Sequence, residues 1–267
     1  MLRLISGVVM MIILVVCMIF AQYLLFPLLV FVTAVGLMEL YRTEKVHKSL
    51  LGAVGYLAAA GFYAMVYFER YDLLMVLVSA FIILLMAVYV LTFPKFNSTQ
   101  VFTVFFGLFY VAVTLSFIYR IRMMDSGAYS VWLVFVGSWG SDTMAYEVGK
   151  RIGKHKLAPR LSPKKSVEGF FGGVFGAALI GLIFALIFRE KITDFNALIV
   201  FPATGACGAV ISQIGDMAAS GIKRNKDIKD YGKLIPGHGG VLDRFDSVIF
   251  IAPICYYMLV LFTGGAL

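Results

Sequence analysis

The sequence predicts an all-α, polytopic integral membrane protein of about nine transmembrane helices with a cytoplasmic N-terminus. Three observations carry this. Of the 267 residues, 61% are apolar and only 14% charged, well outside the range of a soluble domain. Apolar runs of helix length recur along the whole chain. The 23 Lys and Arg residues fall mostly on one side of the connections between those runs.

The spans are expected near 4–20, 23–41, 50–68, 72–92, 101–119, 129–147, 168–188, 197–219 and 245–263. The first could be a cleaved signal peptide, but a second apolar run follows almost at once, and Val15 and Val16 stand before Cys17 where a lipoprotein signal needs a small residue. We read it as a retained span. The connections then alternate between two faces. One face collects Arg3, Lys95 and the basic residues of 42–48, 150–165 and 223–244; the other holds only Arg70, Arg120, Arg122, Arg189 and Lys191. That bias places the N-terminus and both long polar loops, 148–167 and 220–244, in the cytoplasm, and the C-terminus outside. Residues 1–128 form an N-terminal set of five spans, and 129–267 a C-terminal region carrying the chemistry. Cys17, Cys207 and Cys255 lie in apolar runs without ligand spacing and read as packing residues.

The net charge of +8 is accounted for by topology and anionic lipid heads. Acids beside the spans are not, because an ionised side chain in hydrocarbon costs at least about 2.5 kcal/mol. Asp142 in "GSWGSDTMAYEVG", Asp216 in "SQIGDMAAS", and Asp243 and Asp246 in "LDRFDS" all lie near the cytoplasmic ends of spans. Asp243 and Asp246 are three apart on one helix face, in the first turn, where the dipole favours negative charge. The structural reading of either alone is a helix cap or a lysine partner. Four carboxylates at one depth suit Mg²⁺, which binds hard oxygen ligands and keeps places for water and phosphate.

A magnesium site calls for phosphate, and the loops carry matching cations. The first brings Lys154, Lys156, Arg160, Lys164 and Lys165; the second brings Lys223, Arg224, Lys226, Lys229, Lys233 and Arg244. Lys156, Lys226 and Lys233 read as solvated. Lys164 and Lys165 are stronger candidates, since Pro163 stiffens their approach and a span begins directly after. Around His238, Gly239 and Gly240 either form a turn or let backbone amides approach a phosphate ahead of a helix. "GKRIGKHK" is not a P-loop: its glycines are one residue too close and His155 stands where Ser or Thr is required. The glycines of "EGFFGGVFGAALIG", Gly169 with Gly173 and Gly172 with Gly176, imply close helix packing, within the chain or across a homodimer.

From Ser220 to Asp246 the chain reads "SGIKRNKDIKDYGKLIPGHGGVLDRFD". This resembles the signature of the phosphatidate cytidylyltransferases, or CDP-diacylglycerol synthases, through Ser220, Lys223, Arg224, Lys229, Asp230, Pro236, His238, Gly239, Gly240, Asp243, Arg244 and Asp246. Upstream, Gly215, Asp216 and "SPKKS" with Glu168 and Gly169 extend the likeness over the second half of the chain; the first 128 residues carry only hydropathy. Ser166 and Val167 stand where the family usually has Thr and an aromatic, so neither receives a role. The resemblance implies that CTP and phosphatidic acid give CDP-diacylglycerol and pyrophosphate at the cytoplasmic face of the cell membrane, among membrane lipids and without nucleic acid. For that reaction we expect catalytic roles for Asp216, Asp243, Asp246 and His238, with a loop-orienting hydrogen bond as the other reading of His238. Mg²⁺, alone or with a second cation, is then held by Asp142, Asp216, Asp243 and Asp246. Lys164, Lys165, Lys223, Arg224, Arg244, Gly239 and Gly240 are expected around phosphates. Two other readings remain open: another CTP-using membrane lipid transferase or kinase, and an ion-coupled transporter, against which the absence of an internal repeat counts.

Overall fold

The computed structural model describes residues 2–263, with side chains from Ile5 onward except Gln22. The side chain of Arg3 and the tail 264–267, on which part of the charge bias and the C-terminal placement rest, lie outside the described residues. Helices α1 (Leu2–Ile19), α2 (Ala21–Thr43), α3 (Leu50–Tyr67), α4 (Leu74–Leu91) and α5 (Ser98–Gly107) are followed by α6 (Thr114–Arg122), α7 (Gly127–Ser130), α8 (Trp132–Phe135) and α9 (Ser141–Ile152). A short antiparallel pair, β1 (Lys156–Ala158) and β2 (Ser162–Ser166), leads into α10 (Val167–Phe188), α11 (Ala197–Asn225) and α12 (Leu242–Thr263).

Among the described residues, seven helices are long and apolar enough to cross a membrane: Tyr23–Thr43, Leu50–Tyr67, Tyr71–Leu91, Ser98–Arg122, Val167–Lys191, Ala197–Asn225 and Leu242–Thr263. The protein is therefore an α-helical multi-pass membrane protein. The expected count of nine differs at two places. The first run is a shorter apolar helix, Ile5–Ile19. The sixth, 129–147, falls on the short α7 and then on one continuous helical run, 132–152, in which α8 passes through a π-turn at Val136–Gly140 into α9. The π-turn falls on "VGSWG", where Gly137 packs within van der Waals reach of the Gly208 backbone, and the run is not apolar throughout because α9 carries Asp142, Glu147, Lys150 and Arg151.

Contacts divide the chain into two units, Met1–Ser116 with Asp230–Arg244, and Phe117–Lys229 with Phe245–Leu267. Residues 230–244 of the signature are gathered with the N-terminal helices. In the first unit, the fully buried Leu37, Tyr41, Leu51 and Leu108 form the core. Gly55 and Gly107 give the Tyr41 ring its room, and its hydroxyl donates to the Val104 carbonyl at 3.2 Å. Helix α4 buries only Phe81, Leu85 and Val88, a stripe at i, i+4, i+7, and turns its other apolar side chains outward, as a lipid-facing helix does. Turns are set by local caps: Ser49 accepts from Gly52 N–H, and Asn97 and Gln100 close a capping box.

The second unit is organised by small residues. Helix α10 buries Gly169, Gly173, Gly176, Ala177, Gly181 and Ala185. Gly172, Gly173 and Gly176 face Val148, Ser141 and Met144 of α9, so the four-residue glycine spacing serves packing inside the chain. On the α11 side, a Cβ at Gly205 would stand 2.8 Å from the Ala177 carbonyl oxygen, and one at Gly181 2.7 Å from that of Phe201. Backbone cannot yield as a flexible side chain can. Gly205→Leu is therefore expected to lower stability by about 1–3 kcal/mol or more, read as an earlier thermal unfolding midpoint in detergent. Phe175→Leu on the exposed side of α10 is the matched control, expected within about 0.5 kcal/mol of wild type. All three cysteines are free; Cys17 and Cys255 are buried as packing residues, while Cys207 is exposed.

Candidate active site

A cavity of about 420 Å³ opens in the second unit, bordered by Asp142, Lys150, Lys164, Lys165, Gln213 and Asp216. That volume suits a small-molecule site. Each border residue is placed by a local device. Asp142 occupies the first turn of α9, immediately after the π-turn. Lys164 and Lys165 sit on β2, and strand alternation turns them differently: Lys164 is exposed, while Lys165 is only 20% exposed and points at α11. β2 ends directly on α10, whose N-terminus Ser166 caps by accepting from Gly169 N–H at 3.1 Å. Ser166 thus has the structural role that the sequence left unassigned. Glu168 accepts from the amides of Lys154 and His155 and meets His155 Nδ1 at 2.7 Å, fixing the turn after α9. "GKRIGKHK" accordingly forms a helix end and turn, as its spacing implied.

The electrostatics centre on two lysine–aspartate pairs. Lys165 Nζ donates to Asp216 Oδ2 at 2.6 Å and to Gln213 Oε1 at 2.7 Å. Lys223 Nζ stands 4.0 Å from Asp246 Oδ2, each side chain 12% exposed. Asp246 Oδ1 accepts from its neighbour's amide, Ser247 N–H, at 2.8 Å, and the group lies within electrostatic reach of Asp216 and Asp142. At Gly215 of α11 the absence of a side chain lets the Asp246 carbonyl and the Phe250 ring of α12 come close. Lys223 and Arg224 lie in the last turn of α11, which continues to Asn225, so they are helix residues and not loop residues as expected. Arg224 is exposed.

The signature loop in the first unit is held differently from the sequence expectation. Gly239 adopts φ +86°, and Ile235 N–H donates to its carbonyl, closing a tight turn. The Gly240 amide, expected to face a phosphate, donates instead to Asp243 Oδ2 at 3.0 Å, which also accepts from Tyr231 N–H at 2.8 Å. The next two amides, Val241 and Leu242, donate to Glu39. One oxygen of Asp243 is therefore committed to the loop backbone. His238 Nδ1 pairs with Ser6 Oγ at 2.8 Å, and that hydroxyl also reaches the Pro236 carbonyl. Arg244 lies half-buried in the first turn of α12. Of the expected site residues, Asp142, Lys164, Lys165, Asp216, Lys223, Arg224 and Asp246 fall in the second unit, and His238, Gly239, Gly240, Asp243 and Arg244 in the first.

Two residues escaped the sequence reading. Gln213 is 2% exposed and lies three before Asp216, hence on the same helical face; a polar side chain at that offset inside an apolar run was the available signal. Glu39 is 1% exposed within "GLMELYR", where an acid in an apolar run is the same kind of signal as the four aspartates.

Among the described residues no three His, Cys, Asp or Glu side chains are gathered closely enough to cage a metal. The donor chemistry nonetheless fits a hydrated hard cation, which needs only one or two carboxylates together with phosphate oxygens.

A many-spanned α-helical membrane protein with a cation-lined, acid-bearing cavity is a candidate transferase acting on anionic groups at the bilayer boundary. The chain belongs to the cytidylyltransferase family, whose profile matches residues 1–262. The relationship thus extends through the N-terminal helices, which the motif resemblance did not reach. The chain is similar to a phosphatidate cytidylyltransferase of Bacillus subtilis, 34% identical over 238 residues and covering 86% of each chain. It is also similar to those of Staphylococcus saprophyticus, 31% over 181 residues and 66% of each, and Thermotoga maritima, 30% over 176 residues, 63% of this chain and 62% of the relative.

Proposed function

We propose that the protein is a phosphatidate cytidylyltransferase of the cytoplasmic membrane, with its site facing the cytoplasm. A phosphate oxygen of phosphatidic acid attacks the α-phosphorus of CTP. The new P–O bond forms as the α–β bridging bond breaks, giving CDP-diacylglycerol and pyrophosphate. The nucleophile is already ionised near neutral pH, so neutralising charge between two polyanions is the larger demand. The observation that carries this reading is the Lys165–Asp216–Gln213 cluster bordering the cavity, in a chain whose relatives bear that enzyme's name.

Asp216 and Asp246 are the carboxylates we assign to Mg²⁺, with Asp142 beside them. When bound, the cation supplies charge stabilisation at the phosphates and leaving group. The protein's own part is positional and electrostatic. Lys165 and Lys223 keep the acids neutralised in a partly buried setting, and Lys150 and Lys164 at the cavity border attract the triphosphate. Gln213 orients Lys165. Asp243 shapes the loop. Because phosphatidate keeps its acyl chains in the leaflet, its phosphate meets CTP at the interface, where the basic segments favour the cytoplasmic side.

The test is full-length protein in nanodiscs with phosphatidate, radiolabelled CTP and Mg²⁺. Lipid-linked CMP with equimolar pyrophosphate is expected. No such product from wild type, or instead a lipid alcohol phosphorylated by CTP, rejects the proposal.

A further inference from the structure

Glu39 lies near the end of α2, in a candidate span, among the buried Leu37, Leu40 and Tyr41. A carboxylate there demands partners. It finds them 202 and 203 residues away: Val241 N–H donates to Oε1 at 3.1 Å and Leu242 N–H to Oε2 at 2.8 Å. Leu242 is the first residue of α12, so the carboxylate satisfies amides that a helix start leaves unpaired and puts negative charge where the dipole favours it.

The loop is shaped around this side chain. A Cβ on Gly240 would stand 2.5 and 2.6 Å from the two Glu39 oxygens, and one on Gly232 would also meet Oε1. Gly240 carries no positive φ. Its lack of a side chain is explained by Glu39 and not by backbone strain. From the other side, Asp243 Oδ2 holds the amides of Tyr231 and Gly240. Two carboxylates, one from each end of the chain, thus grip consecutive amides of one loop.

We infer that Glu39 is a positioning residue for the transfer reaction: its carboxylate holds the Gly240–Leu242 backbone and thereby sets the first turn of α12 with Asp243. The N-terminal helices then take part in building the loop as well as spanning the membrane. Its kinetic arm rests on the proposed reaction; its structural arm does not.

Glu39→Gln keeps the shape and one acceptor but loses the charge and the second acceptor. In nanodiscs it is expected to lower kcat about 10- to 100-fold while leaving the KM for CTP within about threefold and the protein folded at assay temperature. Amide hydrogen exchange should rise over 240–243 and not elsewhere. Gly240→Ala should be as damaging in wild type but add little in a Glu39→Ala background, because the methyl then enters vacated room. Wild-type kcat and exchange in Glu39→Gln, or additive effects of the two alanine variants, overturns the inference. A wild-type protein that forms no CDP-diacylglycerol, yet shows the localised exchange and the non-additivity in its unfolding midpoints, rejects the reaction while upholding the grip of Glu39 on the loop.

Discussion

Lys165→Met is expected to reduce kcat by at least about 10²-fold, with a smaller loss of stability. The ammonium lies 2.6 Å from Asp216 Oδ2 and 2.7 Å from Gln213 Oε1, and its side chain is 20% exposed against 29% for Asp216. Breaking a buried pair by removing one partner leaves a charge uncompensated, at a cost of about 3–5 kcal/mol when fully buried; partial exposure here moves the expected cost to the low end or below. Methionine preserves most of the chain's volume, so packing around β2 should persist. Lys165→Arg retains the charge with a planar, wider head and should recover part of the rate but not all of it. Steady-state kinetics with thermal unfolding separates the two effects. A Lys165→Met protein that turns over like wild type would remove the lysine from the mechanism.

The second large effect is expected at Asp246→Asn, with kcat falling about 10²- to 10³-fold. The substitution is nearly isosteric. An amide oxygen in the place of Oδ1 can still accept from Ser247 N–H, now at 2.8 Å, so the first turns of α12 should keep their geometry. What disappears is the negative charge 4.0 Å from Lys223 Nζ and beside Asp216. If Asp246 helps hold the cation, activity should also need more Mg²⁺, seen as a rightward shift in a magnesium titration at fixed CTP. An unchanged rate with an unchanged magnesium midpoint would exclude the role.

The spans were legible because hydropathy is a local property. Seven of the expected runs match helices long enough to cross, within a few residues at their ends. The run at 129–147 misled because its apolar first half, through α8, continues directly into the polar α9, which carries Asp142, Glu147, Lys150 and Arg151. Helix ends were also hard to place: α11 runs on to Asn225 through "SGIKRN", carrying Lys223 and Arg224 out of the expected loop. The strand pair arises from β1 and β2 pairing with each other, for which five residues around one proline give little periodic signal.

For the site, residue types and spacing along the chain were sufficient to single out Asp216, Asp246, Lys164 and Lys165, since acids and cations beside apolar runs need a reason wherever the chain goes. Their partners were another matter. That Lys165 meets Asp216 across the whole of α10 and much of α11, that Gly240's amide serves Asp243, and that Glu39 claims the start of α12 are consequences of packing. The sequence by itself determined a multi-pass helical membrane protein of the cytidylyltransferase kind, because hydropathy, charge bias and a dense local motif are read within tens of residues. Only the tertiary structure decided which carboxylates border the cavity and which hold the loop, because hydrogen bonds and ion pairs depend on distances of a few ångströms between segments up to 232 residues apart.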